Sequence, residues 1–186
     1  MCRPIRTMSA CLRRFRQRED GYLVVESALI LPFLLWAFVA LYSYWDGYRA
    51  VTQVQKATFA VADLISREQR PVGAAYIDGM RQTIDTILPG DMEGEVRVTS
   101  ILWVEANNRF EVEWSARSGT LAPLLTTGTL APLVSRIPAM SDGDTAVIVE
   151  CWVDYEAAFV LGGVQDARLS QFVVTRPRFA PRIVYQ

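Results

Sequence analysis

From Ser27 to Trp45 the chain carries no charged side chain, and this run opens directly behind an arginine-rich segment, Gly21 and a single acid, Glu26. Few folds accept such a stretch. Crossing ~30 Å of hydrocarbon takes ~20 mostly apolar helical residues, so Tyr22–Trp45 is long enough to span a bilayer. A secretory signal has an apolar core of only ~7–15 residues, closed by a small-x-small cleavage pair. The run here is longer and has no convincing pair of that kind near its end. It is therefore expected to stay in the functional protein.

Charge sets the direction of the span. Residues 1–21 hold six arginines against Glu19 and Asp20, a net charge of +4. Residues 22–186 hold thirteen basic and eighteen acidic side chains, a net of −5. Lys and Arg resist transfer, so the basic flank stays cytoplasmic and the remainder crosses. A basic arm of this kind also suits nucleic acid, but one abutting an apolar span records topology. No nucleic-acid partner is expected.

Glu26 is the anomaly of the span. A charge near the middle of a spanning helix costs roughly 2.5–3.5 kcal/mol on insertion scales, and less near the interface. One turn inside the membrane it can snorkel, stay protonated or pair with a cation, and the plain reading is a tolerated interfacial acid. A sharper one starts from Gly21. A cut after this glycine exposes a new α-amino group at Tyr22, four residues before Glu26. The protonated amine of a neighbouring copy then neutralises Glu26 inside the apolar layer.

Basic leader, Gly, four apolar residues, Glu and a membrane helix together resemble the amino terminus of type IV pilin-like proteins. In that family a prepilin peptidase cuts after the Gly, and the Glu at the fifth mature position helps set register between subunits. The resemblance makes Gly21 the cleavage glycine, Tyr22 the new amino terminus and Glu26 the register acid. The run VESALILPFLL, Val25–Leu35, resembles more specifically the TadE/TadG-like assembly proteins of tight-adherence (Tad, or Flp) pili. Major pilins of that system usually place Tyr after the Glu. Ser27 stands here, which argues for a minor pilin or pseudopilin, and the acidic pair Glu19-Asp20 before Gly21 is a second departure. Softer likenesses to proteobacterial TadE-type proteins run through ADLISR (62–67), Trp114-Ser115, IPAMSDGD (137–144) and VTRPRFAPR (174–182).

Pro32 removes one hydrogen bond and clashes with the preceding turn, a cost of ~3 kcal/mol in water. Membrane helices accommodate proline better, so a modest kink near Ala28 is expected. Past Trp45, the aromatic residues Tyr42, Tyr44, Trp45 and Tyr48 mark an outer interface. Val51, Val54, Thr58, Val61/Ala62 and Ile65 then recur at helical spacing, with no breaker before Pro71. One helix of roughly 45 residues, ~70 Å long, is predicted to serve as both anchor and spine.

A second helix fits Gly73–Leu88, with a core stripe of Tyr76/Ile77, Met80, Ile84 and Ile87/Leu88. Beyond Asp91 the period changes to that of strands. Glu95–Glu105 and Arg109–Ala116 read as a hairpin joined by Ala106-Asn107-Asn108. In its second arm Phe110, Val112 and Trp114 are expected on one face, with Glu111 and Glu113 on the other. Asp144–Tyr155 places Val147, Val149, Cys151, Val153 and Tyr155 on one side, and Ile148, Glu150, Trp152 and Asp154 on the other. Leu169–Arg176 is a fourth strand. Helices first and an antiparallel sheet afterwards make an α+β fold. The pilin resemblance implies a leader over 1–21, a transmembrane helix over 22–45, a helical extension over 46–70 and a periplasmic α+β domain over 71–186.

GTLAPLL at 119–125 recurs as GTLAPLV at 128–134, two copies and too few for a solenoid. A helical turn or surface loop is expected. The chain has no histidine, which removes the commonest acid–base catalyst, the Ser-His and Cys-His pairs and the usual non-thiolate zinc ligand. Cys2 and Cys11 fall in the leader, and Cys151 reads as a small core residue. Asp142-Gly143-Asp144 lacks the ligand spacing of an EF-hand and reads as a turn. Neither catalysis nor a cofactor or metal site is expected.

The function implied is that of a minor pilin or pseudopilin-type structural component of a Tad/Flp adhesive pilus. Its partners would be prepilin peptidase, other Tad/Flp pilins and pseudopilins, the inner-membrane assembly platform and membrane lipid. It would sit in the inner membrane, amino terminus cytoplasmic and body periplasmic, and could enter a surface pilus. Three alternatives stay open: an uncleaved, single-pass membrane-anchored periplasmic binding protein, a minor pseudopilin of a type II secretion system, and an anchored hydrolase working through carboxylates alone. The last needs a cleft with two converging acids, whereas the acids here, Glu150 among them, alternate with apolar residues on strands, as solvent faces do.

Overall fold

The computed structural model describes residues 20–90, 92–160 and 163–186. The arginines of the leader, with Cys2 and Cys11, lie outside the described residues. Helix α1, Asp20–Ser66, runs for 47 residues through both Pro32 and Gly47. At 1.5 Å per residue that is ~70 Å. Its last turn closes with the Ser66 hydroxyl donating to the Asp63 carbonyl at 2.8 Å. The Glu68 carboxylate then accepts the Gln69 and Arg70 N–H groups at 3.0 and 3.1 Å, turning the chain before Pro71. Helix α2, Ala74–Ile87, buries Ile77, Met80 and Ile84 on the stripe read from the sequence.

Four strands follow: β1 Gly94–Val104, β2 Arg109–Ser118, β3 Thr145–Tyr155 and β4 Ala167–Thr175. They form one antiparallel sheet in the order β2-β1-β3-β4. Glu105 leaves the first strand to begin a single 3-10 turn, Glu105–Asn107, which ends on Asn108 at φ 48°. Asn tolerates that left-handed conformation better than most residues.

One face of the sheet meets the helices. Val96, Val98, Val147, Val149, Cys151 and Val153 pack against Val54, Ala57, Val61 and Ile65 of α1 and Ile77, Met80 and Ile84 of α2. The second half of α1 is thus core, as its spacing predicts. The other face is covered too. Ile101, Phe110, Ala146 and Ile148 are buried beneath Leu125, Leu130 and Ile137 of the β2–β3 connection.

Two expectations fail against this arrangement. The register between β1 and β2 slips: Ser100 faces Trp114, while Ile101 faces Val112. Glu113 is the extra residue of a bulge, and one added residue reverses the alternation beyond it. Phe110 and Val112 therefore lie on the covered second face, whereas Trp114 joins the helix-facing core. Glu113 is held where it bulges, accepting the Ser100 hydroxyl at 2.8 Å. The second failure is Glu150, read from its alternation as a solvent-face acid. It is buried, because the β2–β3 connection folds over it.

The duplicated segments share a sequence and differ in conformation. The second copy forms 3-10 turns, Thr127–Thr129 and Ala131–Arg136, and buries Leu130 at 1% exposure. The first copy is irregular and leaves the equivalent Leu121 at 40%. It opens on Gly119 at φ +117°, where an added Cβ would meet the Glu95 carboxylate, whereas Gly128 faces open space. The carboxy-terminal strap, residues 176–186, closes the end of the body away from the bare half of α1. Val184 and Gln186 exchange hydrogen bonds with Val72 at 2.8 and 2.9 Å, and Trp114 Nε1 donates to the Ile183 carbonyl at 2.7 Å.

Candidate functional site

Gly21, Tyr22, Glu26 and Pro32 all fall in the first turns of α1. Tyr22 and Glu26 are both exposed and four residues apart, so they share one helix face, ~6 Å apart along the axis. Pro32 sits inside the helix without ending it. Around and beyond these residues the helix is apolar on every side, and none of the described residues buries it. Leu29 is 73% exposed and Leu41 70%, with Phe33, Leu34, Leu35, Trp36 and Phe38 also exposed. A helix apolar all round belongs in a core or a membrane. This half of α1 is in no core, and it is long and apolar enough to cross a membrane.

The helix changes partner between Tyr42 and Ala50. Ser43 is buried and its hydroxyl turns back to the Val39 carbonyl at 3.0 Å. Tyr155, at the end of β3, donates its hydroxyl to Asp46 Oδ2 at 2.9 Å. Burial pushes the Tyr155 phenol up to about 12, and its bond to the Asp46 carboxylate adds to the rise. Gly47 lies beside this contact, where a Cβ would make ordinary van der Waals contact with the Tyr155 hydroxyl at 3.6 Å and with Val164 at 3.8 Å. Ala50 then begins the buried stretch.

Beside this junction lies a cleft of about 630 Å³, lined in part by Asp46, Arg49, Met92, Glu93, Asp154 and Glu156. Three of its carboxylates are engaged. Asp46 accepts from Tyr155, Asp154 pairs with Arg168 at 2.7 Å, and Glu93 pairs with Arg81 at 3.1 Å. These bonds tie the strand ends and the α2–β1 turn around the emerging helix. Among the described residues no three His, Cys, Asp or Glu side chains are grouped to hold a metal ion. Asp142-Gly143-Asp144 forms a turn, with Gly143 at φ +77° and Asp144 Oδ2 accepting the Ser141 N–H at 3.0 Å. Cys151 is buried in the helix-facing core, and burial pushes its thiol up to about 11.

Sequence reasoning found the local features of this segment and missed the junction. Asp46 and Tyr155 are 109 positions apart. No local signal pairs them, because the contact joins the middle of a helix to the end of a distant strand. Comparisons with protein-family models, curated proteins and solved structures gave no match.

Proposed function

We propose that this chain is a membrane-inserted, pilin-like subunit of the TadE type, cut by prepilin peptidase after Gly21, that assembles a Tad/Flp adhesive pilus as a minor pilin or pseudopilin. Its body stands in the periplasm and its basic flank in the cytoplasm. The observation carrying this reading is α1 itself: one unbroken helix, bare and apolar over its first half and core over its second. Tyr22–Trp45 reaches ~36 Å along the axis, more than the ~30 Å of hydrocarbon.

Glu26 then has a defined task. Cleavage leaves an ammonium group at Tyr22, one helical turn from the acid on the same face. In an array of parallel helices the amine of one copy meets the Glu26 of the next, and the pair removes an insertion cost that, one turn inside the layer, lies below the roughly 2.5–3.5 kcal/mol of a charge at its centre. A copy displaced along the axis loses that pairing, so the acid sets register. Pro32 gives the span a point of weaker backbone bonding within the same segment. The prepilin peptidase, neighbouring pilins or pseudopilins, the assembly platform and the lipid are the partners this mechanism needs.

Mass spectrometry of the membrane form tests it directly, with a chain beginning at Tyr22 as the expected result. A chain still carrying Met1 in cells with active peptidase refutes it and leaves an uncleaved anchored binding protein. Glu26→Ala should be cleaved normally and fail to assemble pili. Normal piliation in that variant removes the register role.

A further inference from the structure

We propose that Phe159 and Val160, in the β3–β4 connection, enter the outer interface of the bilayer beside α1 and give the body a second contact with lipid. This rests on reading the first half of α1 as the span. Both side chains face outward in the described structure, Phe159 at 50% exposure and Val160 at 68%. The Phe159 ring meets Tyr42 edge-on, with centroids 6.2 Å apart. Tyr42 lies four residues before Asp46, which places that contact ~6 Å along the axis on the membrane side of the first charge. At that level the medium around the helix is the aromatic-rich boundary of the hydrocarbon, where Tyr42 and Trp45 already sit.

The connection is constructed to hold this position. At its neck the Asp166 carboxylate accepts the Ala157 N–H at 2.8 Å, and Arg168 pairs with Asp154 one step below. On the far side Gly163, at φ +93°, runs past the Tyr44 hydroxyl, from which a Cβ would be 3.7 Å away. The neck is polar and bonded, and the residues it presents are apolar. Connections facing water ordinarily carry polar or turn-forming residues. Adjacent exposed apolar residues, level with the end of a span, match a lipid interface in both chemistry and depth.

Spin labelling of the full chain in phosphatidylethanolamine–phosphatidylglycerol vesicles tests this. Cys2→Ser and Cys11→Ser remove the outlying thiols, Cys151 is buried, and one label per chain confirms it stays unmodified. Labels go on Val160→Cys, on Leu34→Cys inside the span and on Phe179→Cys in the carboxy-terminal strap. Val160→Cys should read between Leu34→Cys and Phe179→Cys, more accessible to oxygen and less accessible to a nickel chelate than Phe179→Cys, with a depth parameter shallower than that of Leu34→Cys. An aqueous reading at 160 with an immersed reading at 34 overturns the second contact and leaves the span standing. Aqueous readings at both positions overturn the span and this inference with it. Immobilisation at 160 with dipolar broadening between labels means that another copy covers the residue, and likewise overturns it.

Discussion

Replacing Glu150 by glutamine should destabilise the body by about 3 kcal/mol, although an isolated reading of β3 makes this residue a surface acid. Glu150 stands directly opposite Arg97 in the β1–β3 register. Arg97 Nε and Nη2 donate to its Oε2 at 2.8 and 2.5 Å, and each side chain is only 7% exposed. The guanidinium also donates to the Pro123 carbonyl and lies 5.1 Å from the centroid of the Trp152 ring. Removing one partner of a buried pair costs roughly 3–5 kcal/mol, because the other charge stays out of water. The low end applies here, since Pro123 and Trp152 still face the cation. A loss of ~3 kcal/mol corresponds to roughly 10 °C in Tm for a body of this size. Thermal and urea unfolding of the full chain in detergent micelles, followed by far-ultraviolet circular dichroism, measures it. The double variant Arg97→Met/Glu150→Leu should recover most of the loss, since an apolar pair of similar volume carries no desolvation cost. Glu150→Gln within ~0.5 kcal/mol of the parent would be the behaviour of a surface pair. It would mean that water reaches Arg97 and that the β2–β3 connection does not seal this face.

Three further outcomes follow from the same geometry. Gly119→Ala should cost ~1–2 kcal/mol in urea unfolding, through its positive φ and the Glu95 carboxylate, while Gly128→Ala in the same sequence context stays within ~0.5 kcal/mol or gains slightly; equal effects would refute the two conformations. Tyr155→Phe should cost about 1 kcal/mol at neutral pH through loss of the bond to Asp46. Because the folded phenol is raised from 10.0 to about 12, its contribution is intact below pH 10 and is lost as the pH climbs toward 12. The gap between the two proteins should therefore close over that window, and a gap that widens there contradicts the assignment. Cys151, its thiol pushed up to about 11 and fully buried, should resist a maleimide at pH 7.5 in the folded Cys2→Ser/Cys11→Ser protein and react on unfolding. Rapid labelling of the folded form would place it outside the core.

The parts of this fold that local chemistry dictates were legible in the sequence. The long apolar helix, its continuation to Ile65, the α2 stripe and the four strands were each readable from composition or period, and all are present. The spacing of Tyr22 and Glu26 is likewise local, so their shared helix face follows from the numbers alone. What escaped depends on distant chain. No residue near Glu113 signals a bulge, because a bulge is a mismatch of length between two strands. Glu150 looks like a surface acid until residues 119–137 are laid over it. The two GTLAPL copies carry the same letters, and only their different neighbours, Glu95 for one and the second-face core for the other, separate them. The Asp46–Tyr155 contact was invisible for the same reason.

The continuity of α1 from its bare apolar half into the core has a mechanical consequence. Beyond Pro32 the helix reaches the sheet without a break, so the body turns with its stalk. Adding one residue to the span would rotate everything above it by ~100° relative to everything below. Any rotation of the apolar half beyond Pro32 is handed, like torque along a shaft, to the sheet at the other end.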